Sequence, residues 1–195
     1  DPQEFNTGNT DLTGALCDAV INSGRQVHVL YTSSSQAELN NPYGNSKRGA
    51  EELLLNLQSS TNAPVYIFRL PNVFGKWARP NYNSAVATFC NNIARDIPIN
   101  VNDPLAVVNL VYIDDVVARF IAIMDGKVSV QPFVSVEPQY SISVGGLVEQ
   151  LTAFRNSRTT MISERVGTGL VRALYSTYLS YLPPESFTYK VPKYE

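Results

Sequence analysis

Val27-His28-Val29-Leu30-Tyr31-Thr32-Ser33-Ser34-Ser35 is an apolar run that opens into three hydroxyls, and Asn41-Pro42-Tyr43-Gly44-Asn45-Ser46-Lys47 follows it closely. The first segment reads as a buried strand. The second reads as the start of a helix, with Asn41 or Asn45 near its beginning, running to about Ser59, where Ser-Ser-Thr-Asn punctuates it. Pro64-Val65-Tyr66-Ile67-Phe68-Arg69-Leu70 is a second β-rich apolar run. Strand, helix and strand in this order make a βαβ unit, with parallel strands and a right-handed crossover. Tyr43 and Lys47, four residues apart on a helix, share one face. A neighbouring ammonium favours phenolate and lowers a hydroxyl pKa that starts at about 10. Such a phenol can exchange a proton with a carbonyl or alcohol oxygen at neutral pH. Tyr189 and Lys193 repeat the spacing, but Pro192 lies between them and no serine-bearing strand precedes them, so that pair carries nothing.

Composition narrows the classes. A chain of 195 residues with 44% apolar content can bury a sizeable core and suits one domain, or one and a piece. Charged residues make up 16% and the net charge is −2, which speaks against a phosphate-backbone surface and against nucleic acid as a partner. Cys17 and Cys90 have neither metal-ligand spacing nor a disulfide framework, which points to a reducing cytoplasm. His28, the single histidine, lies within the strand pattern and is read as structural, which excludes His-dependent triads and most zinc chemistry. No metal site is expected. The longest apolar stretch, Val116 to Met124, is too short to span a bilayer and contains Arg119. No signal peptide is visible, and no membrane is expected as a partner.

Elsewhere the pattern predicts helices over Asp11 to Val20, Ala85 to Arg95, Asp114 to Met124, Val144 to Phe154 behind a Ser143 cap, and Ser163 to Leu182. It predicts short strands at about 97–102, 106–112 and 132–137. Pro183-Pro184 ends the last helix, and Phe187 to Glu195 reads as a linker. Asp114-Asp115 are read as helix caps rather than metal ligands. Gly145-Gly146 is read as a helix start rather than a phosphate-binding turn. Tyr175, Tyr178 and Tyr181 recur on one face as packing residues. Arg69 at a strand end is read as structural.

Several motifs, in order, carry a family resemblance: Gly8-Asn9-Thr10-Asp11-Leu12-Thr13, Ser33 to Ala37, Asn41 to Lys47, Phe68-Arg69-Leu70-Pro71-Asn72-Val73-Phe74-Gly75, Arg79 to Ser84, and Asn109 to Val117. The chain resembles the C-terminal part of an extended short-chain dehydrogenase/reductase of the NAD-dependent epimerase/dehydratase family. Within that family it is most similar to the reductase portion of a bacterial capsular-polysaccharide nucleotide-sugar reductase. The resemblance implies an α/β fold: a partial Rossmann-like, doubly wound parallel sheet with a small α/β substrate-binding lobe. It implies Tyr43 as the catalytic acid/base and Lys47 as the group that lowers its pKa and holds the nicotinamide ribose. Ser34 is implied as the hydroxyl that bonds the substrate oxygen, with Ser33 and Ser35 as alternatives in the serine run. Pro71 would join Tyr43 and Lys47 at the NAD(P) site. Asn72 and the loop residues Arg79, Asn81, Tyr82 and Asn83 would receive the nucleotide-sugar, a uridine-linked one. Arg79 suits a phosphate, and Tyr82 can stack or hydrogen-bond.

The family's Gly-x-x-Gly-x-x-Gly turn, which holds the cofactor pyrophosphate, has no counterpart in these residues, so the N-terminal Gly-rich βαβ half is absent. Residues 1–75 are expected to form the C-terminal half of the cofactor domain. Residues 76–185 are expected to form the substrate lobe with interleaved Rossmann elements, and 186–195 the linker tail. The expectation is a fragment or truncated homologue of a reductase that transfers hydride from NAD(P)H to a 4-keto-deoxy nucleotide-sugar for surface polysaccharide. As an isolated chain it is expected to be inactive and to bind cofactor no better than about millimolar. The alternative is a non-catalytic nucleotide-sugar-binding or protein-interaction module. A strand at 27–32 lacking its neighbours further implies a homodimer or a complementing chain.

Overall fold

The structure is a computed structural model and describes residues 1–188. It divides into two compact units, Asp1–Pro71 with Val116–Glu137, and Asn72–Asp115 with the residues from Pro138 onward.

In the first unit, α1 (Pro2–Phe5) continues through a π-helical turn (Asn6–Asp11) into α2 (Leu12–Ser23), which Gly24 closes at φ 62°. β1 (Val29–Ser34) and β2 (Val65–Leu70) pair in parallel from Val29↔Val65 to Ser34↔Leu70. Between them runs α3 (Pro42–Thr61). The side chain of Asn41 caps α3 by accepting from the Gly44 amide at 2.7 Å, Pro42 occupies the first turn, and Asn62 closes the helix in the left-handed region. The cap brings two backbones together at Gly44: a Cβ there would lie 2.2 Å from the Gln36 carbonyl oxygen. Cys17, Val29, Leu54, Leu57, Val65 and Ile67 form the core beneath.

The second unit holds β3 (Asn72–Phe74), α4 (Ala85–Ala94), β4 (Val107–Tyr112), β5 (Gln139–Ser143), α6 (Val144–Thr160) and α7 (Gly169–Leu179). β3 pairs with β4 in parallel and β4 with β5 in antiparallel. Pro71, which cannot donate to a ladder, separates β2 from β3, and the two strands belong to different sheets. Phe74, Phe89, Leu110, Leu147, Leu151, Phe154, Leu174 and Tyr178 fill the core. α5 (Ile113–Met124) follows β4 without a break.

The α/β class with parallel pairing holds, and several details differ from expectation. Residues 97–102 form no strand. Ile97, Ile99 and Val101 alternate, but Asp96 turns the chain at φ 56°, and Ile99 and Val101 pack on the core instead of a neighbour. The stretch 132–137 contributes only a bridge, Ile67↔Phe133, and the unforeseen strand β5 follows it. The last helix begins at Gly169, because Met161 ends α6 at φ 58° and Gly169 takes φ 63°, outside helical space. His28 lies just before β1, exposed, and not inside the strand. Asp114 and Asp115 lie within the first turn of α5 and do not cap it; Asp114 pairs with Lys76 at 2.9 Å. Ser143 caps α6 through the Gly146 amide at 3.1 Å. Tyr178 and Tyr181 are buried and Tyr175 packs edge-on against Phe154, as the packing reading requires. Pro184–Phe187 forms a short 3-10 turn, and Tyr189, Lys193 and most of the linker segment lie outside the described residues.

Candidate active site

The first unit gathers three of the sequence candidates on one βα element. Tyr43 and Lys47 stand on successive turns of α3, and Lys47 Nζ lies 5.9 Å from the centre of the Tyr43 ring. The same ammonium donates to the Thr32 carbonyl at 3.2 Å, so it reaches across to the strand that ends in Ser34. It also lies 5.1 Å from the Tyr31 ring. Burial pushes the Lys47 ammonium below the ordinary lysine range, and the Glu51 carboxylate pulls it partly back. Phe5 packs edge-on against Tyr43 at 5.4 Å. Asn9 and Thr10 in the π-turn bond the Ser46 hydroxyl and carbonyl at 3.1 and 3.0 Å, which anchors that turn to the helix carrying Tyr43.

The three serines separate by geometry. Ser33 is buried and donates its hydroxyl to Glu51 Oε1 at 2.5 Å. Ser34 accepts from the Gln36 amide at 3.2 Å, which leaves its hydroxyl hydrogen to donate. Ser35 is exposed and opens the 3-10 turn Ser35–Glu38.

Glu51, which the sequence did not single out, stands behind this group together with Arg69. Glu51, 1% exposed, receives Nε and Nη2 of Arg69, the shortest contact being 2.6 Å. Arg69 Nη1 reaches Glu38 at 3.0 Å, and the guanidinium covers Phe133 at 4.6 Å. The Tyr31 hydroxyl is buried near Thr13, and burial, then the Glu51 charge, push the phenol up to about 12. A glutamate one turn beyond Lys47 and an arginine inside an apolar strand are the traces of this network in the sequence.

The second unit holds the remaining candidates. Asn72 donates to the Asn109 carbonyl at 3.1 Å, and with Asn83 it lines a cavity of about 50 Å³ closed by Phe74, Val86, Leu110 and Leu147. Arg79 lies over the Tyr82 ring at 5.5 Å and forms no ion pair among the described residues. Asn81 turns the loop at φ 54°, and its amide bonds Thr88 Oγ1 at 2.9 Å. Pro71 ends the first unit immediately before Asn72.

Residues 1–134 match the NAD dependent epimerase/dehydratase family. The chain belongs to this family. It is 63% identical over 191 residues to a UDP-2-acetamido-2,6-beta-L-arabino-hexul-4-ose reductase of Pseudomonas aeruginosa, covering 98% of this chain and 51% of the relative. Among solved structures, the capsular polysaccharide assembling protein CapF of Staphylococcus aureus superposes with a TM-score of 0.87 at 37% identity, over 91% of this chain and 50% of that one. UDP-glucose 4-epimerase of Thermotoga maritima, solved with UDP-glucose, gives a TM-score of 0.78 at 16% identity over 93% of this chain and 71% of that one; this likeness concerns the fold. The chain thus spans about half the length of the curated relative and of CapF. No helix among the described residues is long and apolar enough to cross a membrane.

Proposed function

We propose that the chain carries the proton-transfer site of a cytoplasmic nucleotide-sugar reductase, which reduces the 4-ketone of a UDP-linked deoxy-sugar on the way to surface polysaccharide. The observation that carries this reading is the join of β1 and α3, which sets Ser34, Tyr43 and Lys47 on one element in a chain so similar to a reductase of a UDP-hexul-4-ose. When bound, a nicotinamide cofactor supplies the hydride. Tyr43 donates the proton to the carbonyl oxygen, and Ser34, whose hydrogen is uncommitted, donates a hydrogen bond to the same atom. Lys47 has one acceptor in Thr32 and two further N–H groups for ribose hydroxyls, which fits the nicotinamide end together with Pro71. A glycine-rich pyrophosphate turn is not among these residues, and no contact to the adenosine end is assigned to them.

In the second unit, Asn72, Asn81, Tyr82 and Asn83 are assigned to the nucleotide-sugar, and Arg79, which forms no ion pair among the described residues, suits the diphosphate. The partner in solution is a second copy of this chain. Leu12, Leu16 and Ile21 on α2 are at least half exposed, and an apolar groove runs between α2 and α3, lined by Cys17, Ile21, Leu53 and Leu57. β1 also has no strand on its outer edge among the described residues. Sedimentation of a homodimer that Leu16→Glu converts to monomer supports that assembly, and a wild-type monomer overturns it.

The functional reading is tested in the full-length protein that contains this sequence, by following oxidation of NADH and NADPH with a UDP-4-keto-6-deoxy-sugar. Turnover supports the reductase. Binding of the UDP-sugar without turnover supports the non-catalytic alternative.

A further inference from the structure

We propose that Glu51, braced by Arg69, is a positioning residue for Lys47: its buried carboxylate fixes the ammonium's charge and withdraws Ser33 from the serine run. This rests on the reading of Tyr43 and Lys47 as the proton-transfer pair. Glu51 lies one turn beyond Lys47 on α3, so the two side chains share a face. Its side chain is 2% exposed, and a carboxylate so placed is costly unless it is paired and hydrogen-bonded. Its partners come from both strands: Ser33 near the end of β1 and the Arg69 fork on β2. Arg69 is itself held by Glu38 and by the Phe133 ring. The carboxylate is therefore tied down at the register where β1 hands the chain to Ser34.

Such a network is a poor device for stability alone, since apolar residues of similar volume often serve as well or better. Its place beside Lys47 gives it another task. The groups facing the ammonium are the Tyr31 and Tyr43 rings, the Thr32 carbonyl and the Glu51 charge, with Arg69 the opposing cation behind. Burial disfavours the ammonium and Glu51 favours it, so the carboxylate keeps Lys47 cationic in the state that ribose binding requires. Ser33, bound to Glu51, leaves Ser34 as the hydroxyl free to donate.

The test is trace acetylation of the 195-residue chain across pH, with each lysine read separately by mass spectrometry. Glu51→Gln keeps the shape and removes the charge; at a fixed pH near neutrality Lys47 should label faster by about threefold or more, because its amine is more often unprotonated. Arg69→Met removes the opposing cation and should slow Lys47 labelling. Lys127, paired with Asp125 elsewhere, should label as in the wild type in both. Opposite signs for the two variants support the proposal, since loosening of the fold would speed labelling in both. An unchanged Lys47, or the same sign in both, overturns it. If Glu51→Gln does not fold, the sign for Arg69→Met decides. Neither cofactor nor turnover enters the readout, so failure here leaves the reductase reading standing, and failure of the turnover assay leaves the labelling result standing.

Discussion

Lys47, Tyr43 and Ser34 stand on a capped helix and a strand end, tied across by the buried Glu51–Arg69 pair, whereas Arg79, Asn81, Tyr82 and Asn83 stand on a loop. The first group is held by regular backbone and by a buried carboxylate. The second is held by a left-handed Asn81, an amide bond to Thr88, and a guanidinium lying on an exposed Tyr82 ring. A site that moves protons needs its charges fixed before substrate arrives. A site that receives a flexible nucleotide can leave its cation uncommitted until the phosphate arrives.

Truncating each region should separate them most sharply in stability. Glu51→Ala leaves the part-buried Arg69 with Glu38 alone and strands the buried Ser33 hydroxyl, and should cost about 1–3 kcal/mol. Arg79→Ala removes an exposed side chain and should stay within about 0.5 kcal/mol. Denaturant unfolding of both variants measures this; equal losses would dissolve the distinction. In ligand binding the order reverses. Arg79→Ala should weaken a UDP-sugar by about 1.5–3 kcal/mol if the guanidinium meets phosphate, and calorimetry finding unchanged affinity would remove Arg79 from the site.

These two regions also differed in how far they could be read in advance. Helical spacing alone puts Tyr43 and Lys47 on one face, so their geometry was available from the residues between them. Ser34 comes forward from the serine run through the resemblance alone, with Ser33 and Ser35 as alternatives, because the contact that occupies Ser33 comes from Glu51, eighteen residues away along the chain. Arg69 was legible as structural, yet its partner was not, since ion pairs across elements leave no spacing rule. The alternation at 97–102 misled because a period of two reports which side chains face inward, not whether a partner strand exists. The last helix starts only at Gly169, later than its periodicity suggests, through a backbone angle that periodicity does not register.

A smaller effect tests burial in both regions at once. Burial pushes Tyr31 in the first unit, and Tyr178 and Tyr181 in the second, up to about 12. Unfolded, each ionises near about 10. The folded state therefore binds more protons in this window, and the stability these phenols provide is complete below about pH 10 and lost as pH climbs towards 12. Tyrosinate absorbance followed with circular dichroism should show these groups ionising together with unfolding. Tyr31→Phe should flatten the alkaline fall, and a fall as steep as in the wild type would contradict the burial of that hydroxyl.

Two tyrosines flank the same ammonium, and only Tyr43 is assigned the proton. The most direct measurement is kcat for reduction of a UDP-4-keto-sugar by the full-length protein, comparing Tyr43→Phe with Tyr31→Phe. Loss of the acid should lower kcat for Tyr43→Phe by about 10²–10⁴-fold with sugar affinity kept, while Tyr31→Phe stays within about tenfold of wild type because its hydroxyl is buried. A Tyr43→Phe enzyme that turns over at the wild-type rate, or a Tyr31→Phe enzyme that fails in its place, would contradict the assignment.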